Sequence, residues 1–109
     1  MERLGPDAFD GNHLRRRGTW AVAFLAGWCP FCRTFGPEFE ALEGSGPFHL
    51  GIGDLTDEGS PLWDRFNIEV VPTVVVFRDG VPTFRRDGTL GRGLSDADLS
   101  AVRAALTTG

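Results

Sequence analysis

The run from Trp20 to Ala26 is apolar at every position and lies between Gly18 and Gly27. It is far shorter than the ~20 residues of a membrane-crossing helix, so other parts of the chain have to cover it. A short apolar run between turn residues suits a strand buried on both faces, and such strands belong to parallel sheets. With 109 residues, 41% of them hydrophobic and 24% charged, the sequence has the proportions of one globular domain, 1–109, able to bury roughly 60–70% of its surface. Gly and Pro are spread as single residues, and no repeat, low-complexity tract or linker divides the chain.

The other elements follow from periodicity and punctuation. Asp7 to Arg17 is predicted as a first helix on Phe9 and Leu14, weakened by Gly11 and Asn12. Arg15, Arg16 and Arg17 then read as a solvated helix end, where cations complement the dipole. From Pro30 to about Glu43, Phe35, Phe39 and Leu42 share one helical face, with a kink expected at Pro37. Phe48 to Asp54 reads as a short strand, and Ser60-Pro61 opens a brief helix through Phe66. Thr73 to Phe77 is β-branched, Asp79-Gly80 is a hairpin signal, and Val81 to Arg85 returns antiparallel. Ser95 with Asp98 forms a capping box, Leu94 is placed to staple onto Leu99, and Leu99, Val102 and Leu106 mark the buried stripe of a last helix.

Both cysteines fall in Trp28-Cys29-Pro30-Phe31-Cys32, where the buried strand ends and a helix begins. The first turn of a helix offers unpaired N–H groups and the positive end of the dipole. A thiol placed there can have its pKa lowered from ~8.5 to as little as ~3.5. Cys29 is therefore the expected nucleophile, and Cys32, one turn on, is placed to close a disulfide with it and release a captured substrate. A C-x-x-C is also half of a zinc site, but the second half is missing and only His13 and His49 remain as candidates. A purely structural role is disfavoured, since closing so small a loop removes little unfolded-state entropy.

Four segments, together with Pro37, carry a family resemblance that spans nearly the whole chain. Phe24-Leu25-Ala26-Gly27-Trp28-Cys29 is similar to the strand and tryptophan leading into the thioredoxin active site, and Pro37 stands where that family kinks its active-site helix. Val70-Val71-Pro72-Thr73 resembles the family's segment before its fourth strand, and Phe77-Arg78-Asp79-Gly80 with Leu94-Ser95 resembles its closing hairpin and helix. The resemblance implies an α/β thioredoxin fold, with a central mixed β-sheet flanked by helices on both faces. It also implies a cis Pro72 facing the sulfurs, which leaves the Val71 backbone free to pair with an extended substrate. Around the thiols, Trp28, Pro30, Phe31, Val71 and Pro72 are expected to form an exposed apolar docking patch. Gly88 and Gly91 are both candidates to line the groove, and the segment Arg86 to Gly93 looks longer than the family's usual connection. Trp20 and Trp63 read as core or semi-buried.

Three features depart from the family. Ala23 stands where thioredoxins bury an acid that helps deprotonate the resolving thiol, so slow attack by Cys32 is expected. Pro30-Phe31 replaces the usual Gly-Pro and is more like glutaredoxins. The N-terminal strand is missing or reduced to Arg3-Leu4.

The implied function is thiol–disulfide oxidoreductase in cell redox homeostasis, reducing protein disulfides as a monomer recharged by a reductase. Its redox-active centre is the Cys29–Cys32 disulfide, with no metal and no other cofactor. Glutathione as electron donor is the alternative raised by Pro30-Phe31, and Ala23 keeps open a binding or chaperone module with little turnover. The formal net charge of −4, with all 11 bases arginine, argues against a nucleic-acid footprint. Residues 1 to 18 scatter Leu4, Phe9 and Leu14 among charges, without the apolar block of a secretory signal or a membrane span, so a cytoplasmic location is expected.

Overall fold

The computed structural model describes residues 1–108. Strand β1 (Glu2–Leu4) leads through a 3-10 turn at Pro6–Ala8 into a small hairpin of β2 (Phe9–Asp10) and β3 (His13–Leu14). Next come β4 (Thr19–Leu25), α1 (Pro30–Glu40), β5 (His49–Asp54) and α2 (Leu62–Arg65). The chain closes with β6 (Thr73–Arg78), β7 (Val81–Asp87) and α3 (Asp96–Thr107). Five strands form one mixed sheet in the order β1-β5-β4-β6-β7. Within it β4 pairs parallel with β5 and antiparallel with β6, and β6 pairs antiparallel with β7. The apolar run of β4 is thus the middle strand, buried on both sides from Trp20 to Phe24.

The two faces are covered differently. Phe35 and Phe39 of α1 and Val102 and Leu106 of α3 pack with Ala21, Ala23, Val74 and Val76 on one face. On the other, Leu62 and Phe66 from the α2 region join Phe9 and Leu14 of the hairpin over Val22, Phe24, Val75 and Phe77.

The hairpin replaces the helix predicted over Asp7 to Arg17. Gly11 takes a left-handed φ of 59°, which a helix interior does not accommodate and a tight turn requires. Phe9 then lies directly opposite Leu14, and both are buried on the same face. Arg15, Arg16 and Arg17 accordingly end no helix. Arg16 instead meets Glu2 at 2.6 Å, and the Arg17 carbonyl accepts the Trp20 indole N–H at 3.0 Å. Helix α1 runs unbroken past Pro37 but stops at Glu40, three residues short of Glu43, and Leu42 reaches the core from the following turn. The N-terminal strand is present as β1, a short edge paired with Gly51–Gly53 of β5. At α3 the capping box forms as expected, with Ser95 Oγ accepting the Asp98 N–H and Asp98 Oδ2 accepting the Ser95 N–H at 2.9 Å.

Candidate active site

Where β4 ends, the chain turns through Ala26–Trp28 and enters α1. Cys29 is the N-cap of that helix, with an extended backbone, and Pro30 occupies its first turn, where no intrahelical donor is needed. One turn on, Cys32 points into the core. Both sulfurs are free thiols, and both residues are buried, 6% and 4% exposed. Cys29 Sγ faces the Val71 carbonyl at 3.7 Å, across the cis Val71–Pro72 peptide bond. Cys32 Sγ accepts the Ala26 N–H at 3.4 Å. Burial pushes the Cys32 thiol up to about 12, against the pull of the Ala26 N–H, and the neighbouring Cys29 side chain pushes the same way as burial.

The turn before Cys29 is held from the segment just after β5. Thr56 Oγ1 accepts the Gly27 N–H at 2.8 Å, and the Thr56 carbonyl accepts the Trp28 indole N–H at 3.0 Å. Thr56 in turn donates through its N–H and its hydroxyl to Asp54 Oδ1, at 2.9 and 2.6 Å. Those two bonds, the hydroxyl's first, hold the Asp54 carboxyl below the usual carboxylate range, and Arg3 adds to the effect. Behind the sulfurs, Cys32 borders a hollow of about 230 Å³ that Asp54, Thr56, Arg3 and Arg33 also line. Ala23 is fully buried opposite Ile52 and Val74, so no side-chain acid occupies that place on β4.

In front of Cys29 a groove of about 220 Å³ is lined by Trp28, Pro30, Phe31, Trp63, Val71 and Leu90, among others. Trp28 is half exposed and stacks parallel to Trp63, with centroids 6.4 Å apart and planes within 9°. Of the expected docking patch, Trp28, Pro30 and Phe31 are exposed and Val71 contributes a buried wall. Pro72 does not belong to the exposed patch: it is fully buried, and Gly88 packs closely against its carbonyl. A Cβ on Gly88 would stand 2.6 Å from Pro72 O. Gly91 is the glycine that lines the groove beside Cys29, while Gly88 lines the adjoining hollow.

Three further residues border the site. Trp63, read from the sequence as core or semi-buried, is half-buried and lies against Trp28. Thr56 has no pattern that would single it out. Leu90, an isolated apolar residue in a glycine-rich loop, carried a signal in its neighbours Gly88, Gly91 and Gly93. A larger cavity of about 440 Å³, between Arg65, Asn67 and Arg85, contains neither cysteine. Among the described residues no three His, Cys, Asp or Glu side chains come together to hold a metal, and His13 and His49 do not join the cysteines.

A buried dithiol behind an apolar groove can capture a sulfur at Cys29 and release it when Cys32 attacks Cys29 Sγ. Proteins of known identity are similar to this chain in sequence or in fold. Human protein disulfide-isomerase A6 is 33% identical over 99 residues, covering 85% of this chain but only 22% of its own length. The soluble secreted antigen MPT53 of Mycobacterium tuberculosis is 27% identical over 92% of this chain and 69% of its own. The crystal structure of the long form of thioredoxin f from spinach chloroplast superposes with a TM-score of 0.73 at 20% identity, over 95% of this chain and 84% of that one. The thioredoxin family model matches residues 2–97, and by that match, together with the sheet order and the placement of Cys29 and Cys32, this chain belongs to the thioredoxin family.

Proposed function

We propose that this chain is a thiol–disulfide oxidoreductase that reduces disulfides in protein substrates. The observation that carries this reading is the placement of Cys29, the helix N-cap, at the mouth of an apolar groove with Cys32 beneath it. In the reaction Cys29 Sγ, as thiolate, attacks one sulfur of the substrate disulfide. The substrate S–S bond breaks, the leaving sulfur takes a proton, and a mixed disulfide forms on Cys29. Cys32 then gives up its proton and attacks Cys29 Sγ, which releases the second substrate thiol and leaves the Cys29–Cys32 disulfide. Two electrons pass to the substrate, and a reductase restores the dithiol.

Carriage of a protein segment is supported by the apolar lining of Trp28, Phe31 and Val71 and by the Val71 backbone, whose carbonyl lies 3.7 Å from Cys29 Sγ. The test is dithiothreitol-dependent reduction of insulin. Activity lost in Cys29→Ser, with Cys32→Ser instead accumulating a mixed disulfide on Cys29, is the expected result. Full activity in Cys29→Ser would refute the assignment.

A further inference from the structure

The groove in front of Cys29 continues past Val70 into a second hollow of about 300 Å³, lined by Asn67, Glu69, Val70, Asp87 and Gly88. Val70 and Glu69 border both, so apolar and acidic stretches form one track that leads away from the sulfur. The apolar end is completed by Leu90, which is 85% exposed and lines the same groove as the paired tryptophans. A lone exposed leucine is unremarked on most surfaces. This one sits on a turn fixed by three backbone bonds: Thr89 N–H to Gly93 O at 2.9 Å, Gly93 N–H to Thr89 O at 2.8 Å, and Arg92 N–H to Thr89 O at 2.9 Å. Its side chain is therefore presented to the groove at little ordering cost to a ligand.

At the acidic end the two carboxylates differ. Asp87 is engaged by Arg85 Nε at 2.5 Å, and Arg85 also donates to the Phe66 and Asn67 carbonyls, which holds it in place. Glu69 is exposed and has no ion-pair partner among the described residues. It offers an uncompensated negative charge on the path of a bound segment.

We propose that Leu90 and Glu69 are specificity-determining residues, selecting extended protein segments that carry a bulky apolar residue beside the reactive cysteine and a lysine or arginine beyond it. This rests on the oxidoreductase reading. The apolar residue packs among Leu90, Trp63 and Trp28, and the cation reaches Glu69 as the segment advances about 3.3 Å per residue along the track.

The test uses the reduced protein and capped pentapeptides whose central cysteine is disulfide-bonded to a chromophoric thiol. Symmetric flanks make chain direction irrelevant: leucine then lysine on both sides, serine then lysine, and leucine then glutamate. The leucine–lysine peptide is expected to react about tenfold faster than the serine–lysine one. Its advantage over the leucine–glutamate peptide is expected to be about two- to fivefold and to shrink at about 0.5 M salt. Leu90→Ser should bring the first ratio close to one, and Glu69→Gln the second. Equal rates for the three peptides, or ratios unchanged in the variants, overturn the inference. A small aromatic disulfide reduced through Cys29 in the same experiment shows that the oxidoreductase reading stands even then. If that disulfide is not reduced either, both fall together.

Discussion

Cys32 carries the thermodynamic difficulty of the proposed cycle. Its thiol is pushed up to about 12 chiefly by burial, so at neutral pH only a small fraction is the thiolate that attacks. Below that value the thiolate fraction grows tenfold per pH unit. Release of a mixed disulfide trapped on Cys29 should therefore accelerate about tenfold per unit between about pH 7 and 9 without levelling off, as stopped-flow measurement would show. Levelling off within that range would mean that Cys32 titrates as an ordinary thiol or lower. The same measurement on Ala23→Asp should show faster release at pH 7, because a carboxyl raised by burial can take the proton. The importance of the cysteine pair was legible because its chemistry lies in five consecutive residues. Of the partners of that pair, Val71 was legible through the family resemblance, whereas Leu90 and Thr56, which reach it from distant segments, were not.

Among the elements, the tight join between the cis-proline turn and the end of β7 makes the sharpest demand on residue type. A methyl group at Gly88 would lie 2.6 Å from the Pro72 carbonyl oxygen and 3.4 Å from Val70. Gly88→Ala is expected to destabilise the protein by ~1–3 kcal/mol in chemical denaturation, as overpacking does. Gly5→Ala, where no atom lies within 4 Å of the added Cβ, should change stability by less than ~0.5 kcal/mol. Equal effects of the two would show that β7 is free to move away from Pro72. Elements with a local signature, such as the Ser95–Asp98 box that opens α3, could be read from sequence nearly residue by residue. The segment from Asp7 to Arg17 could not, because Phe9 and Leu14 fit either a weak helical face or opposite places in a hairpin. The hairpin wins by burying both on the sheet around a glycine that helices disfavour.

For the molecule as a whole, that hairpin substitutes for a helix in covering one face of the sheet. Phe9 is its anchor: its ring centre lies 5.2 Å from Phe66, 6.0 Å from Phe24 and 6.1 Å from Phe77. Phe9→Ala should cost ~3–5 kcal/mol of unfolding free energy, a large share of the ~5–15 kcal/mol a protein of this kind has. A loss below ~1 kcal/mol would mean that α2 covers the face unaided. Sequence alone determined the central buried strand, the order of the later elements and the dithiol at a strand-to-helix junction, because each is written in neighbouring residues as periodicity, caps and turn signals. Tertiary structure decided what closes the second face, why Pro72 is sealed off while Trp28 is not, and which side chains border the groove. Those outcomes depend on which distant surfaces exclude water together, a property of the packed chain that no single segment encodes.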